Sequence, residues 1–372
     1  MSLKERIASL IAAQGPISVA QYMTMALHDP QNGYYATRDP FGRPVEGRSG
    51  GDFITAPEVS QMFGEMLGLW LAQAWEEQGS PKRPVLMELG PGRGTLMADM
   101  LRALKAVPDF RKDLDVVMVE ASPYLRDRQE ETLKDSGARI TWRNQFDAEA
   151  GRPLFLVANE FFDALPIRQY VKTPRGWCER MVTAKDNVLD FALAPAPVPS
   201  ALIPESRAGA PEGGVYETAP AAIALGEAIA AHIAAHGGAA LLVDYGYDRA
   251  GHGETLQAVR RHAFTTPLAA PGEADLSAHV DFTALSEAGR RGGAAVHGPV
   301  GQGALLASLG IAARAQSLAA RNPGSLPDLN AALARLTEPA AMGTLFKGLA
   351  FLPAAATTAP GFDRAGAAHA AA

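Results

Sequence analysis

Val85-Leu-Met-Glu-Leu-Gly-Pro-Gly-Arg-Gly-Thr-Leu-Met-Ala-Asp-Met-Leu101 is the stretch that decides the fold. Four of its first five residues are apolar, which suits a strand buried on both faces. Gly90, Gly92 and Gly94 follow at alternate positions, and a helical pattern starts at Thr95. A strand that turns into a helix over glycines exposes backbone N–H groups to a ligand. Glu88 lies near the strand's end, the edge at which open α/β sheets bind ligands. The loop is no P-loop, because Gly-Lys-Ser/Thr is missing. A dinucleotide fingerprint places its third glycine one residue later.

Outward from this segment, strand and helix patterns alternate. Strands are expected at 85–89, 115–120, 139–143, 153–158 and 240–245, with helices at about 95–106, 122–136 and 219–236. Such alternation predicts an α/β fold with a parallel sheet. Residues 167–193 read instead as short antiparallel strands, and 194–213 as an Ala/Pro-rich loop. Helices are expected at 4–13 and 18–27, a Gly/Pro-rich loop at 38–51, and one helix from a Thr55/Glu58 capping box to about Gln78. Residues 256–330 look largely helical, Leu345–Leu352 is a final strand, and 354–372 is a frayed tail. The expected division is an N-terminal helical region at 1–80, an α/β core at 81–255, a helical cap at 256–335 and a last strand with its tail at 336–372.

The chain has 372 residues, 47% of them hydrophobic, and a net charge of −6. That composition supports a large core and disfavours nucleic acid as a partner. Cys178 is the only cysteine, so no disulfide framework is available and no metal site is expected. No apolar run of membrane-spanning length occurs, and the N-terminal residues read directly as a helix. We therefore expect a cytoplasmic protein with no stable membrane insertion. Gly50-Gly-Asp-Phe53 lacks the glutamate of the cyclase signature it resembles.

Three acidic positions carry the chemistry. Val116-Val-Met-Val-Glu120 ends the second strand with a carboxylate that can accept ribose hydroxyls. Leu156-Val-Ala-Asn159-Glu160-Phe-Phe-Asp163 delivers Asn159, Glu160 and Asp163 to the same sheet edge. Glu217, His279 and Asp281 are weaker candidates, each with a plain structural reading as the alternative.

Glu88–Leu96 resembles motif I of class I S-adenosylmethionine-dependent methyltransferases. More narrowly, the chain resembles the MidA family, which includes the mitochondrial complex I assembly arginine methyltransferase. The resemblance is carried by Gly51–Glu65, Glu88–Leu96, Val119–Pro123, Asn159–Pro166, Leu242–Tyr247, Gly272–Phe282 and Phe346–Ala350, spread over almost the whole chain. It implies a Rossmann-like methyltransferase sheet with an N-terminal helical region and an inserted, mostly helical cap. It implies S-adenosyl-L-methionine as cofactor, held by Gly90, Gly92, Gly94, Glu88, Glu120, Ser122 and Asn144, with Asp52, Thr55 and Pro57 closing over it. It implies arginine methylation of a protein substrate, a 49 kDa-type core subunit of respiratory complex I, in support of complex I assembly. Glu160, Asp163 and Asn159 would then orient the guanidinium, which is protonated at neutral pH and needs carboxylates. A homodimer is compatible with this reading. A dinucleotide-dependent oxidoreductase and a non-catalytic assembly factor that binds the cofactor are the alternatives.

Overall fold

The computed structural model describes residues 1–37, 55–249 and 253–362. Asp52 and the whole of the expected loop at 38–51 lie outside these residues. The chain forms two compact units, each assembled from separate stretches.

The larger unit comprises Thr55–Phe162, Ala224–Asp248 and Phe282–Ala372. Its sheet has strands β1 (Val85–Leu89), β2 (Asp115–Val119), β3 (Arg139–Arg143), β4 (Leu154–Asn159), β5 (Gly238–Tyr247), β6 (Ala295–Gly301) and β7 (Phe346–Leu352). Their spatial order is β3-β2-β1-β4-β5-β7-β6. The first five run parallel, and β7 is antiparallel to both of its neighbours. Every residue of β1 and of β4 is buried, the signature of central strands covered on both faces.

The principal helices of this unit are α1 (Gln61–Glu77), α2 (Thr95–Ala103) and α3 (Pro123–Leu133), then α4 (Pro220–His236), α5 (Phe282–Arg291), α6 (Gln302–Ser308), α7 (Ile311–Arg321) and α8 (Leu326–Thr337). Helix α1 lies so close to α2 that a Cβ on Gly64 would stand 2.6 Å from Asp99 Cβ, and one on Gly68 2.9 Å from Met100 Cα. Buried Glu65 on α1 accepts hydrogen bonds from Arg102 on α2 and Arg314 on α7. Between Thr55 and Gln78 the single expected helix is broken. Ala56–Val59 forms one turn, Ser60 is extended, and the Ser60 hydroxyl accepts the Met62 N–H to start α1. Near the C-terminus, Ala359 and Phe362 are buried, and the Trp70 indole donates to the Pro360 carbonyl at 2.8 Å. Residues 359–362 are thus packed, where a frayed tail was expected.

The smaller unit comprises Met1–Ile54, Asp163–Ile223 and Arg249–Asp281. Helices Leu3–Gln14 and Val19–His28 bury Ile7, Ile11, Tyr22, Met23 and Leu27 in a core with Ile167, Val182 and Leu276. Strands Arg168–Thr173, Gly176–Lys185, Val188–Leu193 and Val215–Thr218 form an antiparallel sheet, as the pattern over 167–193 predicts. Residues 257–277 are the main departure. They form a second small sheet, Gln257–Arg260, Ala263–Thr265 and Asp275–Ser277, in place of the start of a helical cap. The helices expected there begin only at Phe282, in the larger unit. The limits of the two units therefore do not coincide with divisions at 80, 255 and 335. Among the described residues, no single helix is long and apolar enough to cross a membrane.

Candidate active site

The C-terminal ends of β1, β2, β3 and β4 carry the larger unit's polar candidates. After β1, Gly90, Gly92 and Gly94 all have positive φ, at 62°, 52° and 82°. Gly90 is required for a second reason. A Cβ there would lie 2.7 Å from Phe161 Cδ2. Gly94 caps α2 from the left-handed region, so the loop leads straight into a helix N-terminus. Thr95, the first residue of α2, donates its hydroxyl to Glu58 at 2.7 Å. That contact takes the carboxylate which a Thr55 capping box needs, and the Thr55 side chain makes no cap.

Glu88 is buried on β1, and its carboxylate accepts the Met97 N–H. Among the described residues its Oε2 atom has no hydrogen-bond partner. Burial pushes the carboxyl up to about 8, against the smaller opposing effect of Met97. A buried, unsatisfied carboxylate oxygen beside a helix N-terminus is suited to a cationic ligand group.

Glu120 follows β2 and is held from several directions. Ser122 donates its N–H to Oε1 at 2.8 Å, while the Ser122 hydroxyl caps α3. Arg126 donates to the Glu120 carbonyl and, at 2.7 Å, to Asn144 Oδ1. Asn144 is exposed after β3 and is tied to Glu120 through this arginine. Burial raises the Glu120 carboxyl, and the hydrogen bonds from Ser122 and Gln129 oppose that rise.

At the end of β4, Glu160 stands at φ 49°, a strained backbone region for a residue with a side chain. Three contacts hold it there. Its N–H donates to the Val243 carbonyl at 2.9 Å, and its Oε1 accepts from the Ala56 N–H at 3.0 Å and Asn159 Nδ2 at 3.1 Å. The short helix after Thr55, with buried Pro57, is thereby brought to Glu160. Asn159 is buried, and among the described residues its Oδ1 has no partner. Asp244 on β5 completes the turn by accepting the Phe161 and Phe162 N–H groups at 3.1 and 2.9 Å.

Asp163 falls in the other unit, where it is buried and its carbonyl accepts the Ala278 N–H. Glu217 is also buried there, bound by the Gln169 side chain and by both the N–H and hydroxyl of Thr255. That bonding makes it an internal anchor of its sheet. The His279 N–H donates to the Thr255 hydroxyl at 2.9 Å. Cys178 is buried. Two residues of the larger site escaped sequence reasoning, Gln129 and Asp244. Asp244 leaves two traces, a polar residue inside an apolar stretch and its place in Leu242–Tyr247, but neither names its role.

Residues 66–300 match a family model described as S-adenosyl-L-methionine-dependent methyltransferase. The chain belongs to that family. The methyltransferase is 36% identical to the mitochondrial protein arginine methyltransferase NDUFAF7 of Homo sapiens, over 92% of this chain and 81% of that protein. It is likewise 36% identical to the NDUFAF7 homolog of Drosophila melanogaster, over 95% of this chain and 85% of that protein. Among solved structures it is similar to a protein from Burkholderia thailandensis bound to S-adenosyl-homocysteine. That match has a TM-score of 0.85 and 34% identity, and covers 97% of this chain and 94% of that one. The methyltransferase therefore has the Rossmann-like α/β fold that its strand order displays, and its cofactor is S-adenosyl-L-methionine. The dinucleotide oxidoreductase alternative is set aside. The methyltransferase's own residues fit this cofactor. The unsatisfied Glu88 oxygen suits its ammonium group, and the loop of Gly90, Gly92 and Gly94 leading into the α2 N-terminus suits its carboxylate.

Proposed function

We propose that the enzyme methylates arginine in a protein substrate, and that this substrate is a 49 kDa-type core subunit of respiratory complex I. Glu160 is the observation that carries the reading. A carboxylate is held in a strained turn at the sheet edge that also bears the glycine loop, and three separate contacts maintain it. Strain kept at such cost of order ~1–3 kcal/mol marks a functional position. The relatives named as protein arginine methyltransferases support the same substrate class.

In this reading Gly90, Gly92 and Gly94 receive the cofactor's carboxylate at the start of α2, and Glu88 faces its ammonium. Glu120, oriented by Ser122, takes the ribose hydroxyls, and Asn144 lies beside the adenine. Thr55 and Pro57 close over the cofactor. When bound, S-adenosylmethionine supplies an electrophilic methyl group. Glu160 orients the guanidinium through charge-assisted hydrogen bonds, and Asn159 holds Glu160 by donating to its Oε1. Positioning supplies most of the rate in such a displacement.

The test is incubation with methyl-labelled cofactor and the complex I subunit, followed by mapping of the label. Label on an arginine supports the proposal. Absence of arginine label, with cofactor binding intact, overturns it. Glu160→Gln is expected to lower kcat roughly 100-fold or more while leaving cofactor affinity within a few fold. An unchanged kcat would remove Glu160 from the assigned role.

A further inference from the structure

Gln129 is a fully buried polar side chain on α3 that the functional reading leaves unused. It faces three groups from three separate elements. Its Nε2 donates to the Gly92 carbonyl at 2.8 Å, and at a longer 3.4 Å to Glu120 Oε2. Its Oε1 accepts the indole N–H of Trp142, on β3, at 2.8 Å. Indole is only a donor, so Trp142 fixes which end of the amide points where. The –NH2 end is thereby committed to the glycine loop and to Glu120. The backbone at Gly94 also packs on Gln129, where an added Cβ would touch its Cα, Cβ and Cγ at about 3.5 Å.

We propose that Gln129, oriented by Trp142, is a positioning residue that locks the Glu120 carboxylate to the glycine loop so that both meet the cofactor in register. The proposal rests on the reading of Glu120 as the ribose-binding acid. Helix α3 addresses Glu120 at three points, with Ser122 at its cap, then Arg126, then Gln129 one turn further on. Gln129 alone of these reaches the glycine loop as well. Its hydrogen bond also opposes the upward push that burial exerts on the Glu120 carboxyl, and so favours the ionised, accepting form.

The experiment is calorimetric titration of the full chain with S-adenosylhomocysteine and with its 3′-deoxy analogue, using wild type, Gln129→Met and Trp142→Phe. In wild type, loss of the ribose hydroxyl is expected to weaken binding about tenfold or more. In Gln129→Met, S-adenosylhomocysteine is expected to bind about tenfold more weakly, with the deoxy penalty shrinking below about threefold. Trp142→Phe, which removes only the indole N–H from this network, should move both quantities in the same direction by a smaller factor. Lowering the pH from about 7 to about 5 should weaken binding more in Gln129→Met than in wild type. A full deoxy penalty retained in both variants overturns the positioning role and leaves the ribose assignment standing. A wild type indifferent to the hydroxyl overturns the ribose assignment and this role with it. If Gln129→Met does not fold, Trp142→Phe alone decides.

Discussion

Glu88 shows how a single residue couples folding, protonation and ligand. In the unfolded chain its carboxyl titrates near about 4.3. In the folded protein burial raises it to about 8. The folded state therefore binds this proton more tightly, and the sign follows. Glu88 costs no stability below its unfolded pKa, and it costs progressively more as the pH rises toward about 8. Thermal melts of wild type and Glu88→Gln should diverge over that range, with the variant gaining relative stability as pH rises. A cationic group placed beside Oε2 reverses the preference and favours the carboxylate. Cofactor binding near neutral pH is accordingly expected to release a proton. Titrations in two buffers of different ionisation enthalpy measure it, and equal heats in both would overturn the placement of the ammonium. Glu88 and Glu120 were legible in the sequence because each lies at or just past the end of an apolar strand. Gln129 was not, because one glutamine among the charged residues of an exposed-looking helix gives no sign of facing inward. Its burial depends on Trp142 and the glycine loop, which only the folded chain brings to it.

The elements differ in how plainly their residues announce them. The hairpin between Gly176–Lys185 and Val188–Leu193 turns on Asp186 and Asn187, both at positive φ, and such residues signal a two-residue turn. The hairpin between Gln257–Arg260 and Ala263–Thr265 has the same geometry but turns on Arg261 and His262, at 51° and 61°. Without Asn or Gly at the turn, that stretch resembles helix, and the error over 257–277 follows. Helix α1 illustrates the opposite case. Its apolar residues predict a helix, and the folded helix buries Met62, Phe63, Met66, Leu67 and Trp70 while leaving Leu69 37% exposed. The width of the buried face comes from Gly64 and Gly68, which let α2 approach. Alanine is the better helix former by about 1 kcal/mol. Even so, Gly68→Ala is expected to destabilise the protein by roughly 1–3 kcal/mol, because its Cβ meets the α2 backbone. Denaturant unfolding checks the sign, and a stabilised variant would show that α2 can withdraw freely.

At the scale of the whole molecule, the parallel sheet and its strands were legible from alternating patterns, whereas the division into units was not. Neither unit is continuous in sequence, and a composition profile registers only continuous segments. The C-terminal stretch makes the same point. Residues 354–362 are rich in alanine, yet Phe362 packs edge-on against Trp70 with ring centroids 6.3 Å apart. Phe362→Ala is expected to cost about 3 kcal/mol, and truncation after Pro353 more, read as a lower melting temperature. A truncated chain that melts like the full one would dissociate that stretch from the core. The strand order has a consequence for biosynthesis. Strands β5 and β6 are joined only through β7, which the ribosome delivers last. A nascent chain halted before Phe346 carries two unpaired strand edges facing a missing neighbour, and such edges are templates for aggregation. The sheet can close only after translation has passed Leu352, so partial products of this gene should be among the most chaperone-dependent states the polypeptide ever occupies.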